Sequence, residues 1–215
     1  MRIDLYNLTK EIKGNKVVDN VNITMESGNV YGLCGYNGCG KTMLMRLISG
    51  LILPTEGKVS YDGKVLGKQL DFPPSIGILI ENPAFLESRS GFDNLMLLAS
   101  IKGKVDKEKV ISSIKRVGLN PDEKKKFRKY SLGMKQRLGI AAAIMESPDL
   151  IILDEPTNAL DSNGVELTKR IIKEESERGA LVIMTCHDKE ILEDVSNVIY
   201  TIEHGRIIDK RSLLL

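Results

Sequence analysis

Near the N-terminus apolar and polar positions alternate with period two: Ile3 and Leu5, then Val21, Ile23 and Met25 separated by Asn22, Thr24 and Glu26. That alternation predicts half-buried antiparallel strands forming a small flanking sheet. Four short, almost continuous apolar runs follow, Val30 to Cys34, Ile76 to Ile80, Leu150 to Leu153 and Ala180 to Met184. Strands buried on both faces suit a mostly parallel sheet covered by helices. Helical spacing links Phe92, Leu95, Leu98 and Ile101, then Val110, Ile114 and Val117, then Met134, Leu138, Ala141 and Met145. These three segments are consecutive, with no strand pattern between them. They predict a helical subdomain inserted at about 82–147 into one α/β domain spanning 1–215. The stretch 54–57 and the pairs Asp62-Gly63 and His204-Gly205 read as turns.

Composition sharpens this picture in a few places. At roughly 150 residues per domain the length corresponds to about 1.4 domains, which suits one domain with an insertion. The 31 basic and 29 acidic residues leave a net charge of +2, so no nucleic-acid partner is expected. No apolar run has the ~18 residues of a membrane helix, and the first residues carry no signal-peptide pattern, so a cytoplasmic chain is expected. Three cysteines without CxxC spacing argue against a disulfide framework or a zinc site. The basic run from Lys124 to Lys129 reads as a solvated face.

The first strong chemical signal is Gly35-Tyr36-Asn37-Gly38-Cys39-Gly40-Lys41-Thr42. It fits GxxxxGK[ST] between a predicted strand and a predicted helix, the setting of a P-loop NTPase phosphate loop. Its glycines let backbone N–H groups converge on an anion, and the helix N-terminus adds roughly half a positive charge. Lys41 is placed to reach the β- and γ-phosphates of a nucleotide and Thr42 to put its hydroxyl on Mg²⁺. Cys39 reads as a small filler and not as a nucleophile.

Ligands on open parallel sheets bind beyond the carboxyl ends of the strands. The second apolar run ends in Glu81, the third in Asp154 and Glu155, and the fourth leads through Thr185 and Cys186 to His187. An acidic pair at a strand end suits phosphoryl transfer to water, with Asp154 holding Mg²⁺ and Glu155 serving as base. His187 is suited to contact the γ-phosphate and the attacking water.

The stretch Tyr130-Ser131-Leu132-Gly133-Met134-Lys135-Gln136-Arg137 resembles the signature motif of ATP-binding cassette (ABC) proteins, with Leu132 where the family has glycine. Ser131 and Gly133 match its central Ser and Gly. Asn158 to Asp161 resembles the family's D-loop, and Thr185 to Asp188 its switch-histidine segment. The resemblance spans the whole chain. It implies an ATPase using ATP and Mg²⁺, working as a dimer with a second copy, in which Ser131 and Gly133 reach the ATP of the partner cassette and Asp161 lies beside it. It also implies separate transmembrane permease subunits that hold the chain on the inner face of the cell membrane.

Three positions depart from the family pattern. Glu81 replaces the Q-loop glutamine, keeping an acceptor for Mg²⁺ and water, and this resembles exporters that confer immunity to lantibiotics and related peptide antibiotics. Ile12 stands about where an aromatic residue would stack on adenine, so weak base selectivity is expected. Tyr36 replaces a common proline and has no explanation from sequence. The resemblance thus implies export of a peptide antibiotic or lantibiotic. The competing class is a soluble ABC ATPase acting on ribosomes or DNA. Such proteins usually resemble paired cassettes or carry long coiled-coil insertions, and this sequence shows neither.

Overall fold

The computed structural model describes residues 1–213. Strands β1 (Arg2–Ile12) and β2 (Asn15–Glu26) form an antiparallel hairpin, turned by Lys13 and Gly14 at φ 50° and 81°. Two consecutive positive-φ residues make a turn whose twist matches the strands it joins. With β4 (Glu56–Tyr61) and β5 (Lys64–Val65) the hairpin builds a four-stranded sheet in the order β2-β1-β4-β5. This is the predicted flanking sheet, and Asp62-Gly63 turns β4 into β5 as predicted.

The second sheet has the order β10-β9-β3-β8-β7-β6, built from β3 (Val30–Cys34), β6 (Ile76–Leu79), β7 (Leu150–Leu153), β8 (Leu181–Thr185), β9 (Val198–Glu203) and β10 (Arg206–Ser212). All neighbours pair in parallel except β10, which returns antiparallel beside β9 through the His204-Gly205 turn. The four predicted apolar runs are therefore four adjacent strands. Their residues alternate between two cores. Leu33, Leu150, Ile152, Leu181 and Ile183 pack towards the antiparallel sheet and α1 (Lys41–Ile48). Val30, Ile151, Leu153, Val182 and Met184 face the remaining helices.

Helices α2 (Gly91–Lys102), α3 (Lys107–Arg116) and α4 (Leu132–Ile144) all lie between β6 and β7, where the insertion was expected. The buried positions of α3 and α4 follow the predicted spacing, with Met134 half-buried. In α2 they do not, because Leu95 and Ala99 are buried while Ile101 is 75% exposed. Three successive steps of three residues rotate the stripe to about 180° from its start at ~100° per residue, so Phe92 and Ile101 face opposite ways. The insertion has no separate core: Leu95, Val110, Ile114 and Leu138 join Leu79, Ile151 and Val182 in one cluster.

What lets α4 lie on the sheet is Gly77, since a Cβ there would sit 1.7 Å from the carbonyl oxygen of Ala143. Glycine inside a strand marks such a close backbone approach. Gly77→Ala is expected to destabilise the chain by about 3 kcal/mol, the upper end of the usual overpacking cost. The check is the urea midpoint, which should fall at an unchanged m-value.

Candidate active site

The phosphate loop joins β3 to α1. Gly40, at φ 115°, is the N-cap of α1 and offers no side chain to the first helical N–H groups. Those donors and the positive end of the helix are left for an anion. A Cβ on Gly40 would also sit 2.5 Å from the carbonyl oxygen of Val17, so β2 backs directly onto the loop. Lys41 folds back across the loop, donating from Nζ to the carbonyls of Gly35 at 2.7 Å and Tyr36 at 3.1 Å. Cys39 is buried beneath the loop, its Sγ 3.9 Å from the same ammonium.

The structure accounts for Tyr36. Its hydroxyl accepts the His204 backbone N–H at 3.2 Å and lies 2.9 Å from His204 Nδ1. The Gly205 N–H donates to the Cys39 carbonyl at 2.8 Å, so the tip of the β9–β10 hairpin braces the loop at two points. A proline at position 36 has no hydroxyl with which to make that brace.

Lys41 and Thr42 share a cleft of about 320 Å³ with Asn37, Gly38, Gly40, Asp154, Glu155 and His187. Asp154 is nearly buried and held by two hydroxyls, Thr42 Oγ1 donating to Oδ2 at 2.8 Å and Thr185 Oγ1 to Oδ1 at 2.7 Å. Thr185 Oγ1 in turn accepts the Glu155 N–H at 2.8 Å. Thr42 and Asp154 thus present adjacent oxygens, a donor set that fits Mg²⁺.

Glu155 sits in the left-handed region at φ 52°. Its carbonyl accepts from Gln136 Nε2 at 2.9 Å, and its carboxylate takes the His187 N–H at 3.1 Å, with His187 Nε2 3.4 Å away. Burial pushes the Glu155 carboxyl above its ordinary range, partly offset by His187. A carboxylate raised in this way accepts a proton more readily than an exposed one.

The other predicted residues lie elsewhere. Glu81 is not in the cleft: at φ 61° it turns away after β6, and its carboxylate pairs with Arg46 Nη2 at 2.5 Å. The structure thus places Glu81 outside the cleft of Thr42 and Asp154, its carboxylate held by the half-buried Arg46 of α1. Ser131, Gly133 and Asp161 form a separate concave surface with Leu132 and Arg137. There Ser131 caps α4 through the Met134 N–H at 3.2 Å. Asp161 caps α5 (Ser162–Glu177) through the Gly164 N–H at 2.9 Å and pairs with Arg137 at 2.8 Å. Ile12 does not line the cleft, whereas Val17 does. Sequence reasoning passed over Val17, the bridging role of Thr185 and the reach of Gln136. A buried threonine closing an apolar strand was the available signal for Thr185.

The raised Glu155 carboxyl has a consequence for stability. The folded chain disfavours the charged form, a penalty present at pH above the folded pKa and absent below the ordinary carboxyl range. Glu155→Gln keeps the acceptor for the His187 N–H and removes the charge. It is expected to raise the nucleotide-free Tm at about pH 7, with the gain fading towards about pH 4. Calorimetry across that range checks it, and an unchanged Tm at neutral pH would contradict it.

The family described as ABC transporter matches residues 18–158. The ABC transporter ATP-binding protein YybJ of Bacillus subtilis is 47% identical over 205 residues, covering 95% of this chain and 94% of the relative. The bacitracin transport ATP-binding protein BcrA of Enterococcus faecalis is 39% identical over 210 residues, covering 97% of this chain and 68% of the relative. A dimeric bacterial ABC transporter cassette superposes with a TM-score of 0.89 at 24% identity, covering 99% of both chains, and shares the fold. The chain belongs to the ABC transporter family, as an ATP-binding, ATP-hydrolysing subunit.

Proposed function

We propose that this subunit works as a homodimer bound to separate membrane subunits on the inner face of the cell membrane, and that the assembly exports a peptide antibiotic or lantibiotic. The observation that carries the dimer is the separation of two half-sites on one chain. The cleft of Lys41, Asp154 and Glu155 lies on one surface and the hollow of Ser131, Gly133 and Asp161 on another. A second copy can set its hollow over the first cleft and the reverse, an arrangement that closes with twofold symmetry.

In this reading Lys41 exchanges its bonds to the loop carbonyls for the β- and γ-phosphates, which the N-terminus of α1 also holds. Thr42 and Asp154 would hold Mg²⁺, which neutralises phosphate charge when bound. Glu155 takes the proton of the attacking water, and His187, beside it, contacts the γ-phosphate. Ser131 and Gly133 donate to the same ATP from the partner. Aliphatic Val17 on the cleft wall offers the base no aromatic ring to stack on, so discrimination between ATP and GTP is weak.

Glu81 serves the link to the membrane subunits. It leads into a groove of about 500 Å³ lined by Leu51, Ile52, Pro83, Phe85 and Leu98, where a membrane subunit's helix docks. The likeness to a bacitracin transport protein supports the cargo class, as does the glutamate at position 81.

Glu155→Gln is expected to keep ATP affinity, to lose turnover by about 10²- to 10⁴-fold, and to accumulate an ATP-bound dimer by light scattering. Hydrolysis at the parental rate would remove the base assignment. The same variant, tagged and solubilised gently from its host's membranes with ATP and Mg²⁺, should co-purify a multi-helix membrane protein. Recovery of ribosomes or DNA-bound factors would replace the transporter reading with the soluble one.

A further inference from the structure

The hydrogen bond from Gln136 to Glu155 has no part in the roles given so far. Gln136 lies on α4, in the second turn after Ser131, and is nearly buried. Its amide reaches across to the backbone of the β7–α5 loop and donates to the Glu155 carbonyl at 2.9 Å. That carbonyl also accepts the Asn158 N–H at 3.1 Å, and the Glu155 N–H is held by Thr185, so the residue is gripped at both of its peptide groups. The grip matters because Glu155 is at φ 52°, a conformation that a residue with a side chain does not keep unless its surroundings impose it.

The first two turns of α4 and the β7–α5 loop are joined at two further points. A Cβ on Gly133 would lie 2.9 Å from the Ala159 carbonyl oxygen, and Arg137 pairs with Asp161 at 2.8 Å. The surface around Ser131 and Gly133 and the backbone of Glu155 therefore belong to one mechanical unit. Of the three contacts, only that of Gln136 reaches Glu155 itself.

We infer that Gln136 is a positioning residue for hydrolysis: it fixes the backbone of Glu155 and passes the position of α4, set by whatever engages Ser131 and Gly133, to the carboxylate. The inference rests on the proposed role of Glu155 as base. It gives the β7–α5 loop a direct mechanical input from the helix that starts at Ser131. A shift of α4 along its axis moves the Glu155 carbonyl and so re-aims the carboxylate, without any change in the phosphate loop.

The test uses the full chain and Gln136→Met, which keeps the length and shape of the side chain and removes the donor. Single-turnover hydrolysis should slow by about 10- to 100-fold, with the Kd for ATP within about twofold of the parent, since misplacement of a catalytic group costs rate more than binding. A double-mutant cycle supplies the readout that a merely structural role would not move. Adding Gln136→Met to Glu155→Gln should cost no further rate, because the residue to be positioned is no longer a base. Should Gln136→Met fail to fold, Gln136→Asn, which is too short to reach, carries the same measurements. Parental turnover in either variant, an equal loss in affinity and rate, or full additivity with Glu155→Gln overturns the inference. Parental turnover in Glu155→Gln alone is a different failure: it removes the base assignment first, and this inference with it.

Discussion

Parallel pairing of β3, β8, β7 and β6 is the constraint on which the site depends. The registers place Leu33 beside Thr185, Leu153 beside Met184 and Leu79 beside Leu153, so all four strands finish at one edge of the sheet. Segments leaving a common edge start within hydrogen-bonding reach of one another. This is how Thr42, at position 42, meets Asp154 and how Asp154 meets Thr185, although they are far apart in sequence. The strands β3, β7 and β8 are almost entirely buried, and the polarity needed for chemistry sits at their carboxyl ends, in Thr185 and the residues just past them.

Within the cleft the balance of charge is uneven. Asp154 and Glu155 bring two carboxylates and Lys41 one ammonium, while the hydrogen bonds to Asp154 come from two hydroxyls and not from a cation. Burying carboxylates without a paired cation is costly, and the raised Glu155 carboxyl expresses part of that cost. The excess negative charge suits a hard divalent cation, and a triphosphate would bring its own charge against Lys41 and the start of α1.

The parts of this structure that could be read from the sequence are those whose cause is local. A continuous apolar run makes a buried strand, and a glycine-rich segment before a helix makes an anion loop. The antiparallel flanking sheet, the helical insertion, the phosphate loop and the acidic pair were all legible for that reason. What could not be read depends on partners far away in the chain. Tyr36 needs His204, 168 positions on, and Glu81 is taken by Arg46, 35 positions back. The α2 stripe misled because a three-residue spacing looks helical over a few steps and then rotates away from the core. Ile12, expected by analogy beside adenine, does not line the cleft, whereas Val17 does.

The contact between Gly40 and β2 is made by the backbone carbonyl of Val17, not by its side chain. Val17 therefore both backs the phosphate loop through its carbonyl and lines the cleft. Substitutions at position 17 can alter the shape of the cleft wall while the carbonyl that backs the loop stays in place.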